Sequence, residues 1–419
     1  MDKFIIHGGT PLKGTVCVDG AKNAAVGLLP ASLLAEYPVV IDNLPYISDV
    51  MVLKNILASM GAKIDFTLDG EMTIDPSGVN TYSVTSELAS TMRASYYLVG
   101  VLLAKYGKAE VALPGGCVIG QRPIEQHIKG FQALGAEVKV EHGIISAYAP
   151  NGLVGTEIYL DVVSVGATIN IMLAAVKAKG NTTIVNAAKE PHVVDVANFL
   201  NMMGAKIKGA GTDTIKIKGV ESLNTCRYSV VADQIEAGTL MIAAAATKGD
   251  LVIKNAISEH MDALTAKLIE AGAYVETGDD YIRVANDKRL NKVNIKTFPY
   301  PGFPTDLQQP MTTLLTTANG TSTIVENIYE DRFKHAYELR RMGASITTEG
   351  RVMVVEGVDR LTGASVAASD LRAGAALIIA GLMAEGTTTI SNVKYIDRGY
   401  NSYEKKLSTI GANIVRVSE

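Results

Sequence analysis

The segment Leu113-Pro114-Gly115-Gly116-Cys117-Val118-Ile119-Gly120-Gln121-Arg122-Pro123 sets one cysteine among three glycines and two prolines, five residues before an arginine. Gly-Gly flanked by proline predicts a loop. A thiol in a loop beside a cation is a setting for reactive cysteine, because nearby positive charge favours the thiolate. The competing reading is a small packing residue. Other candidates are basic: Lys22, Arg93 and Arg372 each stand in the first turn of an expected helix. A cation there opposes the helix dipole by a few tenths to about 1 kcal/mol, which a purely structural sequence avoids. A base beside a helix N-terminus does, however, make an anion site. Arg122, Arg332 and Arg398 extend the set, and several bases facing a cleft would hold a small ligand with more than one negative charge. For Arg332 and Arg398, the adjacent Asp331 and Asp397 offer local ion pairing instead. Asp306, after Phe303-Pro304-Thr305, reads either as a helix N-cap or as a base that takes a proton from a hydroxyl. Asn23 and Asp370 are further cap candidates, and His127, Tyr97 and Met92 read as packing.

A repeat must position these residues. A Gly-Ala pair closes a helix-like stretch at Gly61-Ala62, Gly135-Ala136, Gly204-Ala205, Gly272-Ala273, Gly343-Ala344 and Gly411-Ala412, at intervals of about 70 residues. Each unit reads as an Ala/Leu-rich helix, a strand such as Gly180-Asn181-Thr182-Thr183-Ile184-Val185, an amphipathic helix ending at the pair, and short strands. The sixth unit stops early, and Phe4-Ile5-Ile6-His7-Gly8 resembles Met353-Val354-Val355-Glu356-Gly357, so the first 20 or so residues are expected to pair with the C-terminal half. That predicts an inserted domain over 21–231 and a second domain made of 1–20 with 232–419. The chain would cross between them near Ala21 and near Val231, and a cleft between domains is a common ligand site.

Bulk properties bound the function. A chain of 419 residues exceeds one small core. A net charge of −4 disfavours general nucleic-acid binding, so any anion site is a local cluster of bases. Three scattered cysteines, Cys17, Cys117 and Cys226, fit a reducing, cytoplasmic setting. The histidines show no metal-ligand spacing, and neither a P-loop nor a GxGxxG fingerprint occurs, so neither metal nor nucleotide cofactor is expected. No signal peptide and no apolar run of about 18 residues is present, so no membrane span is expected.

In order along the chain, Lys22-Asn23 after an Asp-Gly turn, Pro114-Gly115-Gly116-Cys117 with Arg122-Pro123, Phe303-Pro304-Thr305-Asp306, Asp370-Leu371-Arg372 and Ile396-Asp397-Arg398-Gly399-Tyr400 resemble motifs of the UDP-N-acetylglucosamine enolpyruvyl transferases of peptidoglycan synthesis. The resemblance runs from Phe4 to the C-terminus. It implies an α/β fold of two inside-out α/β barrel domains, each of three repeated units. It also implies enolpyruvyl transfer from phosphoenolpyruvate to the 3-hydroxyl of UDP-N-acetylglucosamine by addition and elimination, with release of phosphate. By the same resemblance Lys22, Arg122 and Arg398 hold the phosphate, and Arg332 and Arg372 hold the carboxylate. Asp306 deprotonates the hydroxyl, and Cys117 protonates the methylene carbon. Asn23 and Asp370 position the intermediate. Arg93, Arg122, Pro123, Ile124, Glu125, Gln126, Ser164, Val165, Gly166, Asp306 and Ile328 contact the UDP-sugar.

The loop 114–123 is then expected to be a lid, with Cys117 the attachment point of the covalent inhibitor fosfomycin. Val162 and Val163 depart from the pattern, since many relatives carry a lysine just before the Ser-Val-Gly-Ala segment. Two rivals stand beside this reading. The shikimate-pathway enolpyruvyl transferases lack the cysteine loop, and a non-catalytic UDP-sugar-binding paralogue would have no need of Cys117, Asp306 and the five bases together.

Overall fold

The computed structural model describes residues 2–84, 89, 92–113 and 123–418. Cys117 and Arg122, with most of the expected lid, lie outside the described residues. Within these, the chain divides into two compact units, residues 20–231 and residues 2–19 with 232–418. Each has its own apolar core.

In the unit 20–231, three four-stranded sheets repeat one order. Strand Val39–Asp42 pairs antiparallel with Met72–Asp75, which pairs antiparallel with Lys63–Phe66. The fourth strand of each sheet runs parallel and comes from a neighbouring repeat. Ser83–Val84 joins Lys108–Ala112, Glu157–Tyr159 joins Asn181–Val185, and Arg227–Ser229 returns to Val39–Asp42. The exchange is cyclic and closes a threefold. The short last strand of each repeat therefore belongs to the next sheet, a pairing that the strand count alone does not record.

The other unit closes the same way with strands from the N-terminus. Lys13–Cys17 pairs parallel with Asp250–Lys254. Asp2–His7 lies between Thr387–Ser391 and Asn413–Ser418. It holds the place in its sheet that Val352–Glu356 holds in the preceding one, so the likeness of Phe4–Gly8 to Met353–Gly357 is a likeness of position.

The helices are inside and the sheets outside. Gln234–Ala246, Thr305–Leu315 and Leu371–Met383 pack on one another in the unit 2–19 with 232–418. They are buried on nearly every face, Gln234–Ala246 and Leu371–Met383 being mostly apolar and Thr305–Leu315 burying the polar Gln308, Gln309, Thr312 and Thr313 as well. Strands such as Val352–Glu356 alternate buried and exposed residues, so each sheet shows one face to solvent. Full burial of Leu377 or Ile379 stabilises by roughly 1.5–3 kcal/mol per side chain.

The Gly-Ala pair has a physical basis. All six glycines are left-handed, with φ from 93° at Gly343 to 108° at Gly61 and Gly204. The alanine N–H then reaches back to a carbonyl five residues earlier, as in Ala62 to Leu57 (3.1 Å) and Ala273 to Leu268 (3.0 Å). This is the Schellman closure, which spends helix-end carbonyls and buries the alanine against the core.

A second rule recurs at the end of the central strand. Asn43, Asn186, Asn255 and Asn392 all take φ between 55° and 60°. Their amides donate to the carbonyl just beyond the parallel edge strand, at Val230, Leu160, Val18 and Ala368 respectively. The equivalent positions in the two remaining repeats are Leu113 and Glu326.

No helix among the described residues is long and apolar enough to cross a membrane. No described group of three or more His, Cys, Asp or Glu residues could hold a metal ion.

Candidate active site

In the unit 2–19 with 232–418, three predicted residues meet. Asp306 is the second residue of helix Thr305–Leu315, Arg372 the second of Leu371–Met383, and Arg332 follows strand Thr321–Val325. Arg332 Nη2 lies 2.6 Å from Asp306 Oδ1. Arg372 donates to Oδ2 through Nε at 3.1 Å and Nη2 at 3.0 Å. Helix Thr305–Leu315 begins after Pro304 with no side-chain cap, so Asp306 is not an N-cap. Burial alone would push its pKa up. The charges of Arg372 and Arg332 and their hydrogen bonds outweigh that and hold the carboxyl well below the usual carboxylate range.

The alternative of local pairing does not apply to Arg332. Asp331 pairs with Lys334 at 2.7 Å. Arg332 binds Asp306 instead, while Asp397 accepts from Arg416 Nη1 at 3.0 Å and Arg398 ends the short helix Val393–Arg398. Asp370 is an N-cap, accepting from the N–H of Arg372 (2.9 Å) and of Ala373 (3.0 Å). Asn23 caps nothing, standing second in helix Lys22–Ala31, which Ala21 starts without a side-chain cap.

Arg372 is oriented by a directed chain. Thr239 Oγ1 donates to the Ile235 carbonyl (2.7 Å), so it accepts from Tyr400 Oη (2.9 Å). Tyr400 Oη is then left to accept from Arg372 Nη1 at 3.2 Å. Glu326 organises the segment that carries Ile328 and Arg332. Its buried carboxylate accepts from Thr297 Oγ1 (2.9 Å), Ile328 N (2.8 Å) and Tyr329 N (3.2 Å), and from Thr305 Oγ1 (2.9 Å) beside Asp306. Neither Tyr400 as an orienting group nor Glu326 follows from the motifs. Comparing the repeats position by position would have found Glu326, since it replaces the strand-end asparagine.

In the unit 20–231, Lys22 pairs with Asp49 at 2.7 Å. Arg93 opens a 3₁₀ turn, Arg93–Tyr96, and stacks over Tyr96 at 5.6 Å. His127 is buried, as a packing residue should be, but its hydrogen bonds fix a tautomer. Asn170 Oδ1 accepts from Gly100 N (2.9 Å), so its amide donates to Tyr96 O (2.7 Å) and to His127 Nδ1 (3.1 Å). The ring proton is thereby assigned to Nε2, on the side of Gly166, where a Cβ would come within 3.0 Å. Burial first, then the Arg93 charge, lowers the His127 pKa to about 3, so the ring is neutral at pH 7.

Ser164 caps helix Val165–Ala175, its Oγ accepting from Ala167 N at 3.3 Å. Gln126 and Lys129 both hold Asp161, at 3.1 Å and 2.7 Å. Gln126 therefore ties the helix that starts at Glu125 to the loop leading to Ser164. Val162 and Val163 are exposed in that loop, and Pro123, Ile124 and Glu125 precede or open the helix.

The EPSP synthase (3-phosphoshikimate 1-carboxyvinyltransferase) family model matches residues 6–407, and the chain belongs to that family. Its curated relatives carry the name of the group that the motifs resemble. The chain is 58% identical over 419 residues, the whole of both chains, to UDP-N-acetylglucosamine 1-carboxyvinyltransferase 3 of Caldanaerobacter subterraneus subsp. tengcongensis. It is 56% identical, over 99% of each chain, to UDP-N-acetylglucosamine 1-carboxyvinyltransferase 2 of Clostridium acetobutylicum. Among solved structures, the enolpyruvyl transferase NikO from Streptomyces tendae superposes with a TM-score of 0.89 at 26% identity, covering 100% of this chain and 99% of that one. EPSP synthase from Acinetobacter baumannii gives 0.77 at 20% identity over 100% of both chains, a likeness of fold alone.

Proposed function

We propose that this chain is a transferase that moves the enolpyruvyl group of phosphoenolpyruvate to the 3-hydroxyl of UDP-N-acetylglucosamine and releases phosphate, the first committed step of peptidoglycan synthesis. The observation that carries the reading is the full-length identity of 58% to a UDP-N-acetylglucosamine 1-carboxyvinyltransferase. The shikimate-pathway alternative has weaker support, since the EPSP synthase structure shares only 20% of the sequence.

The residue assignments belong to the same proposal. Residues 21–231 act as one domain and 1–20 with 232–419 as the other. Lys22, Asn23, Arg122 and Arg398 bind the phosphate side of phosphoenolpyruvate, and Arg332 and Arg372 bind its carboxylate. A planar two-arginine fork suits a carboxylate, and the binding of the Asp306 carboxylate between Arg332 and Arg372 supports this assignment. Asp306 takes the hydroxyl proton, Cys117 delivers one to the methylene carbon, and Asp370 helps position the intermediate. Arg93, Arg122 to Gln126, Ser164 to Gly166, Asp306 and Ile328 contact the UDP-sugar. The enzyme acts in the cytoplasm, where both substrates are made, and fosfomycin alkylates Cys117.

Phosphate release tests the reading. UDP-N-acetylglucosamine with phosphoenolpyruvate should give stoichiometric phosphate, and shikimate 3-phosphate should give none. No release with the first pair overturns the proposal. Cys117→Ala should lose most activity and all covalent labelling by fosfomycin, and near-wild-type turnover would remove the thiol from the mechanism.

A further inference from the structure

In the cluster of Asp306, Arg332 and Arg372 the carboxylate is the accessible member. Asp306 keeps 24% of its side-chain surface exposed, while Arg332 keeps 3% and Arg372 keeps 5%. Two buried cations thus sit behind one carboxylate that reaches solvent. Asp370 and Asp233 add negative charge nearby, but Asp370 spends Oδ1 on backbone N–H groups, and Asp306 is the carboxylate hydrogen-bonded to both guanidinium groups. Arg332 Nε and Nη1 are buried and meet no hydrogen-bond partner among the described residues. Leaving donors of a buried guanidinium unspent is costly unless an anion completes them.

We infer that Asp306 is a resident stand-in for the substrate's carboxylate: it fills the Arg332–Arg372 fork until phosphoenolpyruvate displaces it, and only the displaced Asp306 serves as base. This rests on the functional reading above. The exchange itself makes and breaks no covalent bond, since one carboxylate replaces another on the two guanidinium groups. The step it gates moves one proton from the sugar hydroxyl to Asp306. The hydroxyl oxygen bonds to C2 of phosphoenolpyruvate, and the C2–C3 electron pair takes a proton from the general acid. While paired, Asp306 is a poor base, because both arginines stabilise its charged form. The arrangement makes the site selective. An enol phosphate lacking a carboxylate can occupy the phosphate bases but cannot free the base, so the sugar hydroxyl stays protonated.

The test is calorimetric, with the full chain and phosphoenolpyruvate as probe. If Asp306 occupies the fork most of the time, apparent affinity is reduced by the fraction of open fork. Asp306→Asn should then bind phosphoenolpyruvate about tenfold tighter than wild type while losing phosphate release. Unchanged or weaker binding by a folded variant, checked by its melting, overturns the inference. Asp306→Ala provides a second variant with the same expectation.

A measurement on the wild type holds even if both variants fold poorly. Displaced Asp306 regains an ordinary carboxyl proton affinity, with a pKa of ~3.9, so binding near pH 4 should take up about half a proton, read from titrations in two buffers of different ionisation enthalpy. The charged and titratable groups around the pair are Arg332, Arg372, Asp370, Tyr329, Tyr400, Asp233, Glu326 and His335, and because burial lowers His335 to about 4, its own uptake is subtracted through the Asp306→Asn control. Uptake beyond that of Asp306→Asn, or of the free ligand where no variant folds, supports the exchange, and no excess refutes it. A wild type that releases phosphate but shows neither effect defeats this inference alone. One that neither binds phosphoenolpyruvate nor releases phosphate defeats the functional reading and this with it.

Discussion

Glu326 should be the most sensitive position outside the Asp306–Arg332–Arg372 cluster. Its carboxylate accepts four hydrogen bonds, two of them from the backbone of Ile328 and Tyr329 at 2.8 Å and 3.2 Å. Glu326→Ala leaves those two amides without an acceptor in a buried place. Hydroxyls of Thr297 and Thr305 can turn to other partners, so the amides dominate the cost. Each orphaned donor costs ~1–3 kcal/mol, which sets the loss at about 4 kcal/mol. For a unit of roughly 200 residues, 1 kcal/mol moves the melting temperature by about 2–4 °C, so a fall of about 10 °C is expected. Glu326→Gln keeps one oxygen for both amides and should cost only about 1 kcal/mol. The kinetic signature follows from Arg332, whose position depends on the segment that Glu326 holds. The Michaelis constant for phosphoenolpyruvate should rise about tenfold or more in the alanine variant, with little change in the glutamine variant. Calorimetric melting and phosphate-release kinetics read both effects. An alanine variant melting within 2 °C or so of wild type would refute the reasoning. So would a glutamine variant as damaged as the alanine one, since charge rather than hydrogen-bond geometry would then be responsible.

Tyr400→Phe removes the acceptor for Arg372 Nη1 without changing the ring packing, and should raise the phosphoenolpyruvate Michaelis constant roughly tenfold with a smaller effect on kcat. Thr239→Val, which cuts the next link, should give a milder form of the same split, and the double variant should be no worse than Tyr400→Phe alone. Gly343→Ala places a side chain at φ 93° with its nearest neighbour 3.9 Å away, so the cost is conformational, about 1–2 kcal/mol, read as a melting shift of a few degrees. Burial raises the Asp195 carboxyl to about 6, against the opposing hydrogen bonds from Tyr228 and Val231 N. A raised folded-state pKa gives stability that is full below about pH 4 and lost as pH rises through 6, so residues 20–231 should lose roughly 2–3 kcal/mol over that window. Asp195→Asn should flatten that slope in melts taken across the same range.

Much of the architecture is legible because one backbone requirement is repeated. Each helix that ends in a Schellman turn needs a left-handed residue followed by a small one, so Gly-Ala recurs wherever that turn does. The edge-strand exchange left no such mark. Glu157–Tyr159 looks like any short strand, and nothing local says that it pairs with Asn181–Val185 rather than within its own repeat. The Asp306–Arg332–Arg372 cluster was half legible. Arg372 stands out because it opposes a helix dipole. The partner of Arg332 is settled by tertiary distance rather than by the adjacent Asp331, since Arg332 and Arg372 stand 26 and 66 residues from Asp306. Sequence spacing cannot rank such partners, and it favoured the neighbouring aspartates that Lys334 and Arg416 in fact take.

In a chain of equivalent repeats, function is sharpest where a repeat abandons the solution its siblings share. Four repeats close the central strand with a left-handed asparagine that reaches the end of the edge strand. The fifth keeps that bond but moves it one residue along, from Asn327 Nδ2 to Thr297 O at 3.0 Å. The shift frees position 326 for a carboxylate that arranges Ile328 and Arg332. A purely structural repeat gains nothing from it, since a buried carboxylate must find partners that an asparagine already had. The second repeat departs at the same place, where Leu113 leads directly into the segment that carries Cys117. The two exceptions thus stand just before two segments that carry proposed site residues, Ile328 with Arg332 in one and Cys117 in the other. Restoring asparagine in the fifth repeat, as Glu326→Asn, should therefore preserve the strand end and the fold while raising the phosphoenolpyruvate Michaelis constant. A variant that instead unfolds the unit and leaves the kinetics of the remaining folded fraction unchanged would show that Glu326 serves the fold alone.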